Sequence, residues 1–195
     1  RRTWNLYKKL KKILKPTDIM NFEFSGSSFG LACNTIHLID LMAYLLDRKT
    51  YSLDTSSLSK KIISSKRKEF IEFSGKLCGS FTAGPDFTIE SSTKKEIPFI
   101  VKIRTTKSTY FILEDYNLMF IVHVDNGKLI TDQEMIKVPF QSDLTNLLVE
   151  QIIEEGSCDL VSYDDSCSLH LVMLNSFLGH YNSLTGKNEK RCPIT

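Results

Sequence analysis

The stretch that most constrains the fold is Leu31 to Leu46, LACNTIHLIDLMAYLL. Leu31, Ile36, Leu38, Ile39, Leu41, Met42, Leu45 and Leu46 leave almost no side of a helix polar. A helix apolar nearly all round is buried by its neighbours. The run is too short and too polar to span a bilayer, so it must be the central rod of a soluble core. Gly26 and Gly30 open the backbone ahead of it, and Ser27 or Ser28 is the expected cap of its first turn.

One stripe interrupts the apolar rod. Cys33, His37, Asp40 and Tyr44 recur every three or four residues, with Asn34 beside them. Residues so spaced stack on one helix face. Burying an imidazole, a carboxylate and an amide together costs roughly several kcal/mol unless each finds a partner. The stripe therefore faces a wet cleft or forms a closed hydrogen-bond network. In the second case Asp40 accepts from a backbone amide or an arginine, and His37 is a satisfied core histidine.

Around this rod the chain reads as strands, then helices. Thr3 to Leu14 is an amphipathic helix with Trp4, Tyr7, Leu10 and Leu14 on its apolar side and a basic remainder, stopped by Pro16. Ile19 to Ser25 alternates Met20, Phe22 and Phe24 with polar residues, as a strand does. Thr50 to Ser59 reads as a connector. Strands are expected at 70–77, 87–92, 98–105, 109–114, 119–124 and 128–131, the last two joined by the Asp125-Asn126-Gly127 hairpin turn. Their turns are too short for helical crossovers. Ser142 is the expected cap of a helix over 143–155, with Leu144, Leu147, Leu148 and Ile152 as its apolar positions and Gly156 as its stop. Ser162 opens another helix to about Leu178, buried through Leu171, Leu174, Phe177 and Leu178 and ended by Gly179.

The sum is an α+β domain over residues 1–195: an open, mostly antiparallel mixed sheet of about six strands with helices packed on one face. Ile97, Phe99, Val101 and Ile103, together with Phe111, Leu113, Phe120 and Val122, are the expected apolar cover of the other face.

Several function classes recede on composition. A net charge of +2 gives no electrostatic footprint for nucleic acid. Five cysteines, an odd count without C-x-x-C spacing, fit reduced thiols and a cytoplasmic setting. Cys167 and His170 share a helix face, but no second Cys/His pair stands near them, so no metal site is expected. No G-x-G-x-x-G lies between a strand and a helix, so the chain holds no dinucleotide fingerprint.

Gly26 to Leu46 resembles the start of the C-terminal domain in the Gfo/Idh/MocA oxidoreductases, whose motif runs Asp-x-Gly-x-His-x-x-Asp. Cys33, Thr35, His37 and Asp40 fall on its four places. His37 and Asp40 match; Cys33 replaces the Asp and Thr35 the Gly. The closing Arg191-Cys-Pro-Ile-Thr is similar to the end of one subgroup of that family. The resemblance implies a C-terminal substrate-binding and oligomerisation domain, with the nucleotide-binding Rossmann domain outside this chain and the isolated chain inactive. It implies NAD or NADP in the intact enzyme, with no cofactor-binding residues here. The substrate would be a sugar, sugar acid or nucleotide sugar. His37 would be the catalytic acid/base, Asp40 orienting or structural, and Asn34, Cys33, Arg2 and His170 would contact substrate. It also implies a homo-oligomer through the open sheet face, with neither nucleic acid nor membrane as partner. The replacement at Cys33 leaves a second expectation, a non-catalytic sugar-binding or oligomerisation domain.

Overall fold

Leu31–Leu46 is one helix, and it is the axis of the molecule. Leu31, Ala32, Ile39, Leu41, Met42 and Leu45 are wholly buried in it. The computed structural model describes residues 1–94 and 96–194. Its elements run α1 (Asn5–Ile13), β1 (Ile19–Ser27), α2 (Leu31–Leu46), β2 (Tyr51–Asp54), β3 (Ile63–Ser64), β4 (Ile71–Glu72), β5 (Gly75–Phe81) and β6 (Asp86–Ser92). They continue as β7 (Ile100–Thr105), β8 (Ser108–Leu113), β9 (Leu118–Asp125), β10 (Lys128–Met135), α3 (Gln141–Glu155) and α4 (Tyr163–Thr185).

Eight strands form one sheet in the order β10-β9-β8-β7-β1-β6-β5-β2. Only the central β1–β6 pair is parallel, with Phe22 opposite Phe87 and Phe24 opposite Ile89. β3 and β4 make a separate two-stranded hairpin. The fold is thus α+β with a mostly antiparallel mixed sheet, and it has two more strands in the main sheet than the expected six or so.

Tertiary packing moves several boundaries. The connector expected at 50–59 contains edge strand β2. Its Tyr51 packs on the rings of Phe81 and Phe87 and donates a hydrogen bond of 2.5 Å to the Leu169 carbonyl of α4. That burial overrides the polar composition around it. In β1, Met20 is exposed, and Ile19, Phe22 and Phe24 fill the core. α4 runs through Gly179 to Gly186, which adopts the left-handed conformation that ends it. Its buried residues are Leu169, Met173 and Phe177, whereas Leu171 is exposed. Phe177 stacks on Phe73 at 5.4 Å, fixing α4 over the hairpin end of the sheet.

α3 lacks the expected serine cap. Phe140 precedes it, and the Asp143 carboxylate accepts from the Phe140 amide at 3.3 Å. None of its residues is buried.

The open face of the sheet is also drawn differently. Val101 pairs with Ile112 and Ile103 with Tyr110, all buried. Phe99 faces the same way, against Phe29 at 5.2 Å. The outer face instead carries Phe111 opposite Lys102, Phe120 opposite Phe111, and Val122 opposite Thr109. Period-two alternation puts Lys102, not Val101, on the side of Phe111.

α1 buries Leu6, Tyr7 and Leu10. Three of its four lysines are held in ion pairs among the described residues. Lys8 pairs with Asp159, Lys9 with Glu134 and Lys11 with Asp47. No helix among the described residues is long and apolar enough to cross a membrane.

Candidate functional site

α2 starts abruptly because Gly30 takes φ +71°, a conformation that side chains other than glycine's resist. Neither Ser27 nor Ser28 caps it. Ser27 Oγ donates to the Ile97 carbonyl at 3.0 Å instead. The acceptor for the first turn comes from β4: Glu72 takes the amides of Ala32 at 2.7 Å and Cys33 at 3.3 Å. A carboxylate suits the positive end of a helix. Nothing local in the sequence ties Glu72 to a helix forty positions away. Glu72→Ala is expected to cost about 1 kcal/mol of stability, as loss of a helix cap does. Urea unfolding measures it, and an unchanged midpoint would remove Glu72 from this role.

From that start the polar stripe climbs α2. Asn34 Nδ2 donates to the carbonyls of Phe29 at 2.5 Å and Gly30 at 3.2 Å and approaches Cys33 Sγ at 3.2 Å. Cys33 and Asn34 thus sit in one small knot that shapes the chain before α2. One turn on, His37 is the stripe's exposed residue, flanked by buried Ile36 and Leu38. It stands on a ridge between two clefts. One, of about 650 Å³, lies between α2 and the β3–β4 hairpin. The other, of about 400 Å³, lies between α2, the segment leading into α1, α3 and α4.

Asp40 does not touch His37 by hydrogen bond. Its carboxylate accepts from Arg2 Nε at 2.9 Å and Nη2 at 2.6 Å, along one edge of the guanidinium. The Arg2 guanidinium also lies 5.4 Å from the Tyr44 ring. Such a bidentate pair fixes both partners. Arg2 therefore reaches the smaller cleft with its fork already engaged. Arg1 turns the other way, to Glu114, and its guanidinium lies between the rings of Trp4 at 5.5 Å and Phe99 at 5.4 Å.

His170 comes from α4 and lines the smaller cleft together with His37. Its Nδ1 lies 2.7 Å from the Ser166 carbonyl. A carbonyl only accepts, so Nδ1 carries the proton there and Nε2 is left as the basic nitrogen. The His37 imidazole is held below its usual pKa of 6.5, first by loss of water around it and then by the Arg1 guanidinium. Asp40 pulls in the opposite direction, and His170 adds to the lowering. His37 is thus neutral near pH 7 and able to accept a proton.

Arg2, His37, Asp40 and His170 meet at the smaller cleft; Cys33, Asn34 and His37 meet at the larger. Among the described residues no cluster of three or more acidic, histidine or cysteine side chains is placed to hold a metal.

No protein-family model and no curated protein matches the sequence. Solved structures match the fold. Levoglucosan dehydrogenase, solved with NADH and levoglucosan, superposes with a TM-score of 0.61 at 10% identity, over 94% of this chain and 62% of that one. A candidate NADPH-dependent oxidoreductase from Desulfitobacterium hafniense gives 0.64 at 12% identity, over 88% and 58%. A candidate oxidoreductase from Yersinia pestis gives 0.63 at 11%, over 99% and 62%. The chain has the fold of one region of these oxidoreductases. That is the fold implied by the Gfo/Idh/MocA resemblance of residues 26–46. It spans about 60% of the length of the structures it matches.

Proposed function

We propose that this chain is the substrate-side domain of an NAD(P)-dependent oxidoreductase acting on a sugar, sugar acid or nucleotide sugar. The observation that carries the reading is His37: an exposed, neutral imidazole on an otherwise buried helix, at the meeting of two clefts. The shared fold and the His37/Asp40 motif support it.

No G-x-G-x-x-G joins a strand to a helix in the sequence, and Glu72 takes the α2 amides of Ala32 and Cys33. NAD or NADP belongs, in this reading, to a domain outside the chain, and it would supply the hydride exchange. The work of this chain is to hold the sugar and move a proton. His37 accepts the proton of the hydroxyl being oxidised, or returns it in reduction. His170 Nε2 and Asn34 are the polar contacts on either side of it. Asp40 acts through Arg2, which it anchors at the cleft.

The test is nicotinamide reduction by this domain joined to a glycine-fingerprint domain, over a panel of neutral, acidic and nucleotide-linked sugars. Turnover on none of them would reject the reading. One observation favours the alternative, a non-catalytic sugar-binding or oligomerisation domain. With Cys33 in the motif's first acidic place and Asp40 spent on Arg2, no carboxylate among the described residues hydrogen-bonds His37. Sugar binding without turnover in the joined protein would decide for it.

The same reading seats a second copy on the open sheet face, where Phe111, Phe120 and Val122 adjoin exposed Val124, Leu129 and Met135. Solvent-facing apolar area of this kind marks an interface. Phe120→Arg is expected to sediment as a monomer where the parent is a dimer or larger; unchanged association would exclude that face.

A further inference from the structure

The larger cleft beside His37 has an uneven charge. Its α2 wall brings Asn34 and His37, and its opposite wall is the β3–β4 hairpin with Ser65, Lys66 and Arg67. Lys66 and Arg67 are exposed, and neither has an ion-pair partner among the described residues. On α1, by contrast, Lys8, Lys9 and Lys11 are ion-paired. The acid lining this cleft, Glu72, already accepts two α2 amides. The cleft thus has two uncommitted cations at one end and a neutral imidazole at the other. Hydroxyls of Ser28, Ser64, Ser92 and Thr93 line the space between. At about 650 Å³ it lies within the range of small-molecule sites.

We infer that this cleft takes an anionic sugar derivative, with its phosphate or carboxylate against Lys66 and Arg67 and its ring hydroxyls toward His37. The inference rests on the dehydrogenase reading and narrows its substrate to the charged members of the class. A planar guanidinium pairs with either anion in a two-bonded fork, and an ammonium beside it adds charge without fixing geometry. Serine and threonine hydroxyls both donate and accept, as sugar hydroxyls require. A neutral sugar would gain only the hydroxyl contacts and leave both cations unused.

Three probes titrated against the chain by calorimetry test this: UDP-glucose, glucuronate and glucose. One of the two anions is expected to bind at least about tenfold more tightly than glucose, the scale of a charge-assisted fork. Preference for UDP-glucose assigns the phosphate, and preference for glucuronate the carboxylate. Lys66→Ala with Arg67→Ala is expected to abolish the preference and leave glucose affinity unchanged. Lys66→Glu with Arg67→Glu should invert it. Both positions are solvent-facing, and a circular dichroism spectrum confirms that the variants fold. Equal affinity for all three probes, binding of none, or a preference that survives the double substitution overturns the inference. Turnover of neutral sugars by the joined protein, without any anion preference here, would leave the dehydrogenase reading standing and remove only this one.

Discussion

Glu114→Ala is expected to lower the unfolding free energy by about 3–5 kcal/mol, the cost of removing one partner from a buried ion pair. Glu114 is 6% exposed in the short turn just after β8. It accepts from Arg1 Nε at 2.9 Å, Arg1 Nη2 at 2.7 Å and the Tyr7 hydroxyl at 2.5 Å. Tyr7 has no exposed surface at all. Burial, and after it the neighbouring carboxylate, push its phenol well above the usual range, so it stays a donor. Alanine would leave that hydroxyl and one edge of the guanidinium without acceptors. An unmet buried donor costs about 1–3 kcal/mol and a charged one more. Tyr7→Phe is the control: it deletes one donor, keeps the Arg1 pair, and should cost only about 1 kcal/mol. Urea unfolding of both variants reads the difference. A loss below about 1 kcal/mol for Glu114→Ala would mean that water replaces the carboxylate, and that α1 is not pinned to the sheet through this point.

That pin shows what kind of information a sequence holds. The α2 boundaries, Leu31 and Leu46, are legible because the run is long and almost wholly apolar. The β9–β10 hairpin is legible because Asn126 and Gly127 accept positive φ in a two-residue turn. Both signals are local. Glu72 on the α2 amides, Arg2 on Asp40 and Arg1 on Glu114 are not. Their partners lie 40, 38 and 113 positions away, and no spacing announces them.

The same limit explains β2 and β7. Tyr51 looks isolated in a polar segment until Phe81, Phe87 and α4 surround it. Val101 and Phe111 look like neighbours on one apolar face until the register pairs Phe111 with Lys102. A one-residue difference in register moves every side chain to the opposite face. At the site, the stripe on α2 could be read as a wet face or a closed network. The structure divides it. Asp40 and Arg2 close on each other, as the network alternative anticipated, while His37 stays exposed at two clefts.

On the proposed reading, His37→Ala in the protein joined to a nucleotide-binding domain is expected to reduce kcat/KM by about 10²- to 10⁴-fold, the range for loss of a general acid/base. His37→Gln should lose as much, since an amide can hydrogen-bond the sugar hydroxyl but cannot take its proton. A binding role alone would instead let glutamine recover most of the activity, and that result would reject the acid/base assignment. The pH profile separates the two further. Alcohol oxidation needs the neutral imidazole, so the rate falls as pH drops through the His37 pKa. That pKa lies below 6.5 because of lost hydration and the nearby Arg1 cation. The acid limb should therefore fall below pH 6.5. Asp40→Asn should carry it lower still. The substitution removes a nearby charge that favours the imidazolium, and it frees the Arg2 cation at the same cleft. An acid limb that stays in place in Asp40→Asn would mean that the titrating group is not the imidazole on α2.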